Sequence, residues 1–451
     1  MKKVLLFSLA AMMLVLSTAC KKDEPAPAAG NNNSNTNTGV EVQGDITSST
    51  TWTASKKYTI KGFVYVKSGA TLTIEPGTVI LGDKDSKGTL IIERGATINA
   101  AGTSAQPIVF TSAQAKGSRN YGDWGGIIIC GKAPVNLPGG EGVIEGGVNV
   151  SFGGTDPADN SGTLKYVRIE FGGIAFQPNN EINGLTLGGV GSGTTIDHIQ
   201  VSYSGDDAFE WFGGTVNAKY LISHRNWDDD FDTDNGFIGK VQFGLILRDP
   251  NVADQSGSNG FESDNDGQGT DATPFTAPVF SNVSVFGPLK TSTTTVDANY
   301  RRAAHIRRNS RTSIYNSLLT GFPTGLLVDG SKCETNATNG TLKIQKSILA
   351  GCATNFAVAS GSTWDLAAWF NTTAFTNTTL ADYTTLSITD AFTLNAPVLL
   401  PGTGSVLLSG GDFTQAPLND AFFTAVTYRG AFGTENWTSG WANFDPQNTE
   451  Y

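Results

Sequence analysis

The sequence predicts an all-β solenoid of stacked coils, and three observations carry that reading. First, an acid directly follows a Phe in three passages: Gly205-Asp206-Asp207-Ala208-Phe209-Glu210, Asp228-Asp229-Asp230-Phe231-Asp232 and Asn259-Gly260-Phe261-Glu262. The Phe recurs after 22 and then 30 residues, as expected when each repeat is one coil laid on the last. Second, Gly69-Ala70-Thr71-Leu72 returns 26 residues later as Gly95-Ala96-Thr97-Ile98. Third, the 451 residues include 54 Gly but only three Met and three His. Long helical periodicity is missing, so the composition suits short strands joined by many turns. The length fits one large solenoid or two to three ordinary domains.

Taken in order, residues 1–19 read as an export signal. Lys2 and Lys3 precede an apolar run, 4–16, that is too short to span a bilayer. Residues 20–39 contain Pro, Ala, Asn, Ser, Thr and Gly without apolar periodicity and read as a flexible tether. Folded sequence is expected from 40 to 355. Phe63-Val64-Tyr65-Val66 alternates, and Pro76-Gly77 marks a turn. Residues 132–162 are Gly-rich and read as a large inserted loop. Strands are expected at 166–171, 196–203, 219–224, 242–248, 280–286, 313–319 and 343–349, and a short helix at 364–370. Residues 356–451 read as C-terminal coils ending in an aromatic cap with Trp437, Trp441 and Phe444, because a solenoid must cover its last coil.

The net charge is −11, which argues against nucleic acid and in favour of cations as partners. Asp206, Asp207, Glu210, Asp228, Asp229, Asp230, Asp232 and Asp234 crowd one stretch, opposed there only by Lys219 and Arg225. Glu262, Asp264 and Asp266 follow. Strands stack about 4.8 Å apart, so coils in register would set Glu210, Asp232 and Glu262 in a column. Such a column repels itself unless protons, basic side chains or a metal neutralise it. Ca²⁺ takes six to eight oxygen ligands, and all eleven acids are candidate ligands. The competing neutraliser is the cluster Arg301, Arg302, His305, Arg307, Arg308 and Arg311, through bidentate pairs. The Cys and His spacing gives no zinc pattern.

Tyr203, Trp211, Phe212, Trp227 and Phe237 flank the acids. Exposed, they would stack on sugar rings; buried, they would form an aromatic core. Trp211, Trp227, Arg225, Arg248 and Arg308 are therefore candidate ligand contacts. Cys333 and Cys352 lie 19 apart, close to one short coil, and are expected to form a disulfide in an exported protein. Cys130 follows three Ile residues and is expected to be a buried free thiol.

Ser17-Thr18-Ala19-Cys20 resembles a bacterial lipobox, which implies lipidation of Cys20. Lys21-Lys22-Asp23-Glu24 resembles the charged signal that sends Bacteroidetes lipoproteins to the cell surface. With the opening coils, Phe231-Asp232-Thr233-Asp234-Asn235-Gly236 and Gly430-Ala431-Phe432-Gly433, the chain resembles Bacteroidetes surface lipoproteins that fold as a right-handed parallel β-helix of pectate-lyase-like type. The resemblance implies a lipid anchor in the outer membrane and exposure at the cell surface, without an attached activity. The expected function is a binding module for an extracellular polysaccharide or surface protein, with Ca²⁺ on the acid ladder. The alternative is a Ca²⁺-dependent polysaccharide lyase, in which Arg225, Lys240, Arg248 or Arg308 would remove a proton beside a metal-neutralised carboxylate. A glycoside hydrolase using Asp206 and Asp207 is a weaker variant. No catalytic set is complete, so the catalytic residues are unknown and binding is preferred.

Overall fold

The structure is a computed structural model and describes residues 39–177 and 180–451. The signal, Cys20 and the tether through residue 38 lie outside the described residues. Among the described residues, twenty-six strands join in one sheet, and its ladders run parallel from coil to coil in a right-handed β-helix. Among the described residues, no helix is long and apolar enough to cross a membrane.

The ladder that carries the acids passes through Gly126–Cys130, Leu185–Gly188, Phe209–Phe212, Phe231–Asp234, Phe261–Ser263 and Arg302–Ile306. Alternation along a strand sends every second side chain inward. Leu185, Phe209, Phe231, Phe261 and Ala304 stack inside, all 0–1% exposed. Each buried Phe contributes about 1.5–3 kcal/mol by removal from water, which fixes the register of the residues pointing outward.

Strands of a second ladder bend at one corner in seven successive coils. Tyr166, His198, Tyr220, Phe243, Asn282, Asn316 and Lys346 occupy it with φ between 47° and 64°. Left-handed backbone at non-Gly residues costs about 1–3 kcal/mol each. Ring stacking along the corner offsets part of that cost: Tyr166–His198 and His198–Tyr220 are 4.2 Å apart and Tyr220–Phe243 is 4.9 Å.

The C-terminal segment departs from the expected cap. It runs back along the flank of the helix. Gln242 holds Thr424 through both ends of its amide, at 2.7 and 2.8 Å, and Gln200 holds Asn443 in the same way. Tyr451 Oη donates to Glu170. Trp441, 1% exposed, packs edge-on against Tyr166 and His198. The corner rings leave an apolar flank, and Trp437 and Trp441 cover it. The short helix Leu366–Phe370 instead packs beside the last site-ladder strand, Thr354–Val358.

The expected Cys333–Cys352 disulfide is not formed; both thiols are free. Cys333 sits in the helix Ser331–Thr338, which follows the strand Thr324–Val328. The coil repeat here is 30 residues, since Ile348 pairs with Leu318 and Thr354 with Thr324. That register lays Cys352 beside Phe322, before the strand, whereas Cys333 lies beyond its other end. A separation of 19 is therefore not one coil. Cys130 is a buried free thiol, as expected.

The insert spanning 132–162 carries an antiparallel pair, Glu141–Val143 with Ser151–Gly153. Its Ile144 and Phe152 pack on Ile91 and Ile128 of the helix. This packing brings Glu145 beside the acids.

Candidate functional site

Two polar columns face one cleft. Register places Glu210, Asp232 and Glu262 directly above one another, with Thr186 before them and His305 after. The same register, three residues earlier in each coil, stacks Asn183, Asp207, Asp229 and Asn259. Here each carboxylate accepts the N–H of the coil above. Asp229 N donates to Asp207 Oδ1 at 2.8 Å, and Asn259 N donates to Asp229 Oδ1. Asp206 and Asp228 stand at the turn beside this column. The cleft is about 220 Å³, lined by Glu145, Asn183, Asp206, Asp207, Glu210, Asp228, Asp229, Asp232, Ser256, Gly257, Glu262 and Arg307. Among the described residues, eight carboxylates thus meet one guanidinium.

The electrostatic consequence follows directly. Burial first, and neighbouring carboxylates second, hold Asp206, Asp207, Glu210, Asp229 and Asp232 well above the usual carboxylate range. Asp228 is pushed up to about 6, again chiefly by burial. Glu262 is the exception. Burial opposes its charge, yet His305 and Arg307 bring it below the usual value. Arg307 pairs with Glu262 and, at 2.8 Å, with Asp264, while His305 Nδ1 stands 3.3 Å from Glu262. Among the described residues, basic side chains therefore neutralise one end of the column only. Arg301 turns to Ala298 O, and Arg311 lies over the Phe275 ring.

Several candidate residues lie elsewhere. Asp230 points inward, away from the cleft, and pairs with Arg248 at 3.1 Å; both side chains are fully buried. Arg248 also donates to the carbonyls of Trp227 and Asp228, so it is a structural clamp and no ligand contact. Trp211 is 0% exposed and stacks on Phe209 and Phe237 in the core, which rules it out as a sugar platform. Arg225 is engaged by Tyr203, Asn395 and Asp249. Asp264 is held by Arg307 and Arg308, and Asp266 closes its own loop through Thr270 and Gln268. Asp234 follows the column outward and accepts from Asn235 N; it does not line the cleft. Trp227, 40% exposed, stands beside Asp228 with its ring edge against Tyr121. Reading the sequence missed Glu145 and Asn183. Asn183-Gly184-Leu185 repeats the pattern of Asn259-Gly260-Phe261 and was a usable signal. Glu145 gave none, since only the packing of a long insert brings it to the cleft.

The chain matches a family model described as pectate-lyase-like β-helix domain over residues 44–393. The chain belongs to this family. None of the curated proteins and none of the solved structures compared with it matches. In this pectate-lyase-like β-helix domain, the donor set fits a hard divalent cation. Two oxygens on opposite sides of a Ca²⁺ stand about 4.6–5.2 Å apart. Three groups of acids in the cleft bring carboxylate oxygens within 4.8 Å of one another. Asn183 Oδ1 and Asp228 Oδ1 are buried and accept no hydrogen bond among the described residues.

Proposed function

We propose that this β-helix domain is a cation-dependent binding module that holds an extracellular ligand, a glycan in the first place, over the acidic cleft. The observation that carries the reading is the imbalance of eight carboxylates against one guanidinium in a cleft open to the outside. Ca²⁺ would be held by Asp206, Asp207, Glu210, Asp228 and Asp232 with the Asn183 amide. When bound, it supplies positive charge to which ligand hydroxyls or carboxylates coordinate. Trp227 offers the exposed ring on which a sugar stacks at the rim. Cys20 and the charged residues after it support a lipid anchor and display at the cell surface.

A lyase needs a base beside the cation. Arg307 is the basic side chain at the cleft. Burial opposes its charge, but Glu262 and Asp264 outweigh burial and make it hold its proton more tightly than usual, so it is poorly suited to accept a second role as base. Glycan-array binding with and without chelator tests the binding reading, and loss of binding on chelation is expected. Unsaturated products from acidic polysaccharides under Ca²⁺ would replace binding with catalysis.

A further inference from the structure

The cleft acids form three groups, and within each the ligand oxygens lie within 4.8 Å: Asp206, Asp207 and Asp228; Asp207, Glu210 and Asp232; Asp229, Asp232 and Glu262. The groups are not equivalent. The third already has donors and positive charge. Arg307 pairs with Glu262, His305 stands beside it, and Asn259 donates to both Glu262 and Asp229. Arg307 reaches the third group, and among the described residues no basic side chain forms an ion pair with Asp206, Asp207, Glu210, Asp228 or Asp232.

Each of the first two groups instead has a buried acceptor that no donor reaches. In the first group it is Asp228 Oδ1; Ser256 satisfies only the other oxygen, at 2.6 Å. Beside the second it is Oδ1 of Asn183, a residue 1% exposed that lines the cleft and whose Nδ2 donates to Glu210. The reverse amide orientation would press two acceptors together. A buried acceptor left unsatisfied costs about 1–3 kcal/mol, and a coordinated cation removes that cost where no N–H is at hand. The unsatisfied atoms thus separate two groups that need a cation from one that has its counter-charge built in.

Resting on the cation reading above, we infer that the cleft takes two divalent cations per chain, held by the first two groups and bridged by the Asp207 carboxylate. Arg307 and His305 fill the third position in place of an ion. Charge favours this count. The first two groups contain five carboxylates; one divalent ion leaves three uncompensated, and two leave one. The ligand facing the cleft therefore meets a cation pair, a geometry suited to a chelating anionic or polyhydroxylated group rather than a single oxygen.

The test counts ions on the full chain. Chelator-stripped protein is titrated with CaCl₂ by calorimetry, and the bound ions are counted by native mass spectrometry. Wild type is expected to bind two, Asp228→Asn one and Glu210→Gln one. Asp207→Asn is expected to weaken both by at least about tenfold, with circular dichroism confirming the fold. A wild-type count of one or three overturns the pair while leaving the cation reading intact. A count of two that persists in both single-site variants also overturns it. No bound ion removes the cation reading and the pair together. The wild-type count decides even where a variant fails to fold.

Discussion

Without cation, the stability of this protein is expected to fall as pH rises across the range where most proteins gain it. Asp228 gives the most direct measure. Its carboxyl, ordinarily at 3.8, is pushed up to about 6 by burial, with Ser256 opposing and Asp254 and Glu262 adding. The folded value lies above the unfolded one, so between them the folded state holds the extra proton. The stabilising share of that proton is complete below about pH 3.8, declines as pH rises, and is lost above about pH 6. The gap between the two values amounts to about 3 kcal/mol. Other cleft carboxyls move in the same direction, so the total decline is larger. Urea denaturation of chelated protein from about pH 4 to about pH 7.5, wild type beside Asp228→Asn, isolates this share. Wild type should lose about 2.4 kcal/mol more than the variant across that interval, since part of the share is already gone at about pH 4. Ca²⁺ at a hundredfold excess over Kd adds about 2.7 kcal/mol at neutral pH for one site and flattens the decline. Parallel curves for wild type and variant in chelator would refute the argument.

Other outcomes follow from the same contacts. Arg248→Met leaves Asp230 buried and unpaired and should cost about 3–5 kcal/mol in urea denaturation, with part recovered in the Arg248→Met/Asp230→Asn double variant. Trp211→Ala should cost about 3–5 kcal/mol as a core truncation; Trp227→Ala should leave the melting temperature within a few degrees while weakening glycan binding. Arg307→Ala removes the guanidinium that Glu262 and Asp264 share and should destabilise the fold more than Arg308→Ala, whose side chain is 43% exposed. Thiol titration of the unreduced, unfolded protein should find Cys130, Cys333 and Cys352 all reactive; protection of Cys333 and Cys352 would contradict the separation of the two residues.

The course of the chain shows why some of this was legible early. The Phe-then-acid pattern is local: a strand's two-residue alternation forces Phe209, Phe231 and Phe261 inward and Glu210, Asp232 and Glu262 outward, wherever the coils lie. The match of the three Phe residues then sets the register, because burying aromatic rings outweighs the repulsion of the acids beside them. Asn183 was readable by the same rule. The basic counterweight was visible as a run of Arg residues, but only register shows that Arg307 and His305 reach one end of the column.

By itself, then, the sequence determined the coiled all-β fold, the column of carboxylates and its excess of negative charge, since all three rest on alternation and composition within single strands. Only the tertiary structure decided which acids face the cleft. Asp229 and Asp230 are adjacent in sequence yet point to opposite sides, one into the cleft and one onto Arg248. It also parted Cys333 from Cys352, laid the C-terminal segment along the flank and brought Glu145 to the cleft. The parting of the two Cys and the place of Glu145 depend on how many residues lie between coils, which leaves no mark on the local pattern.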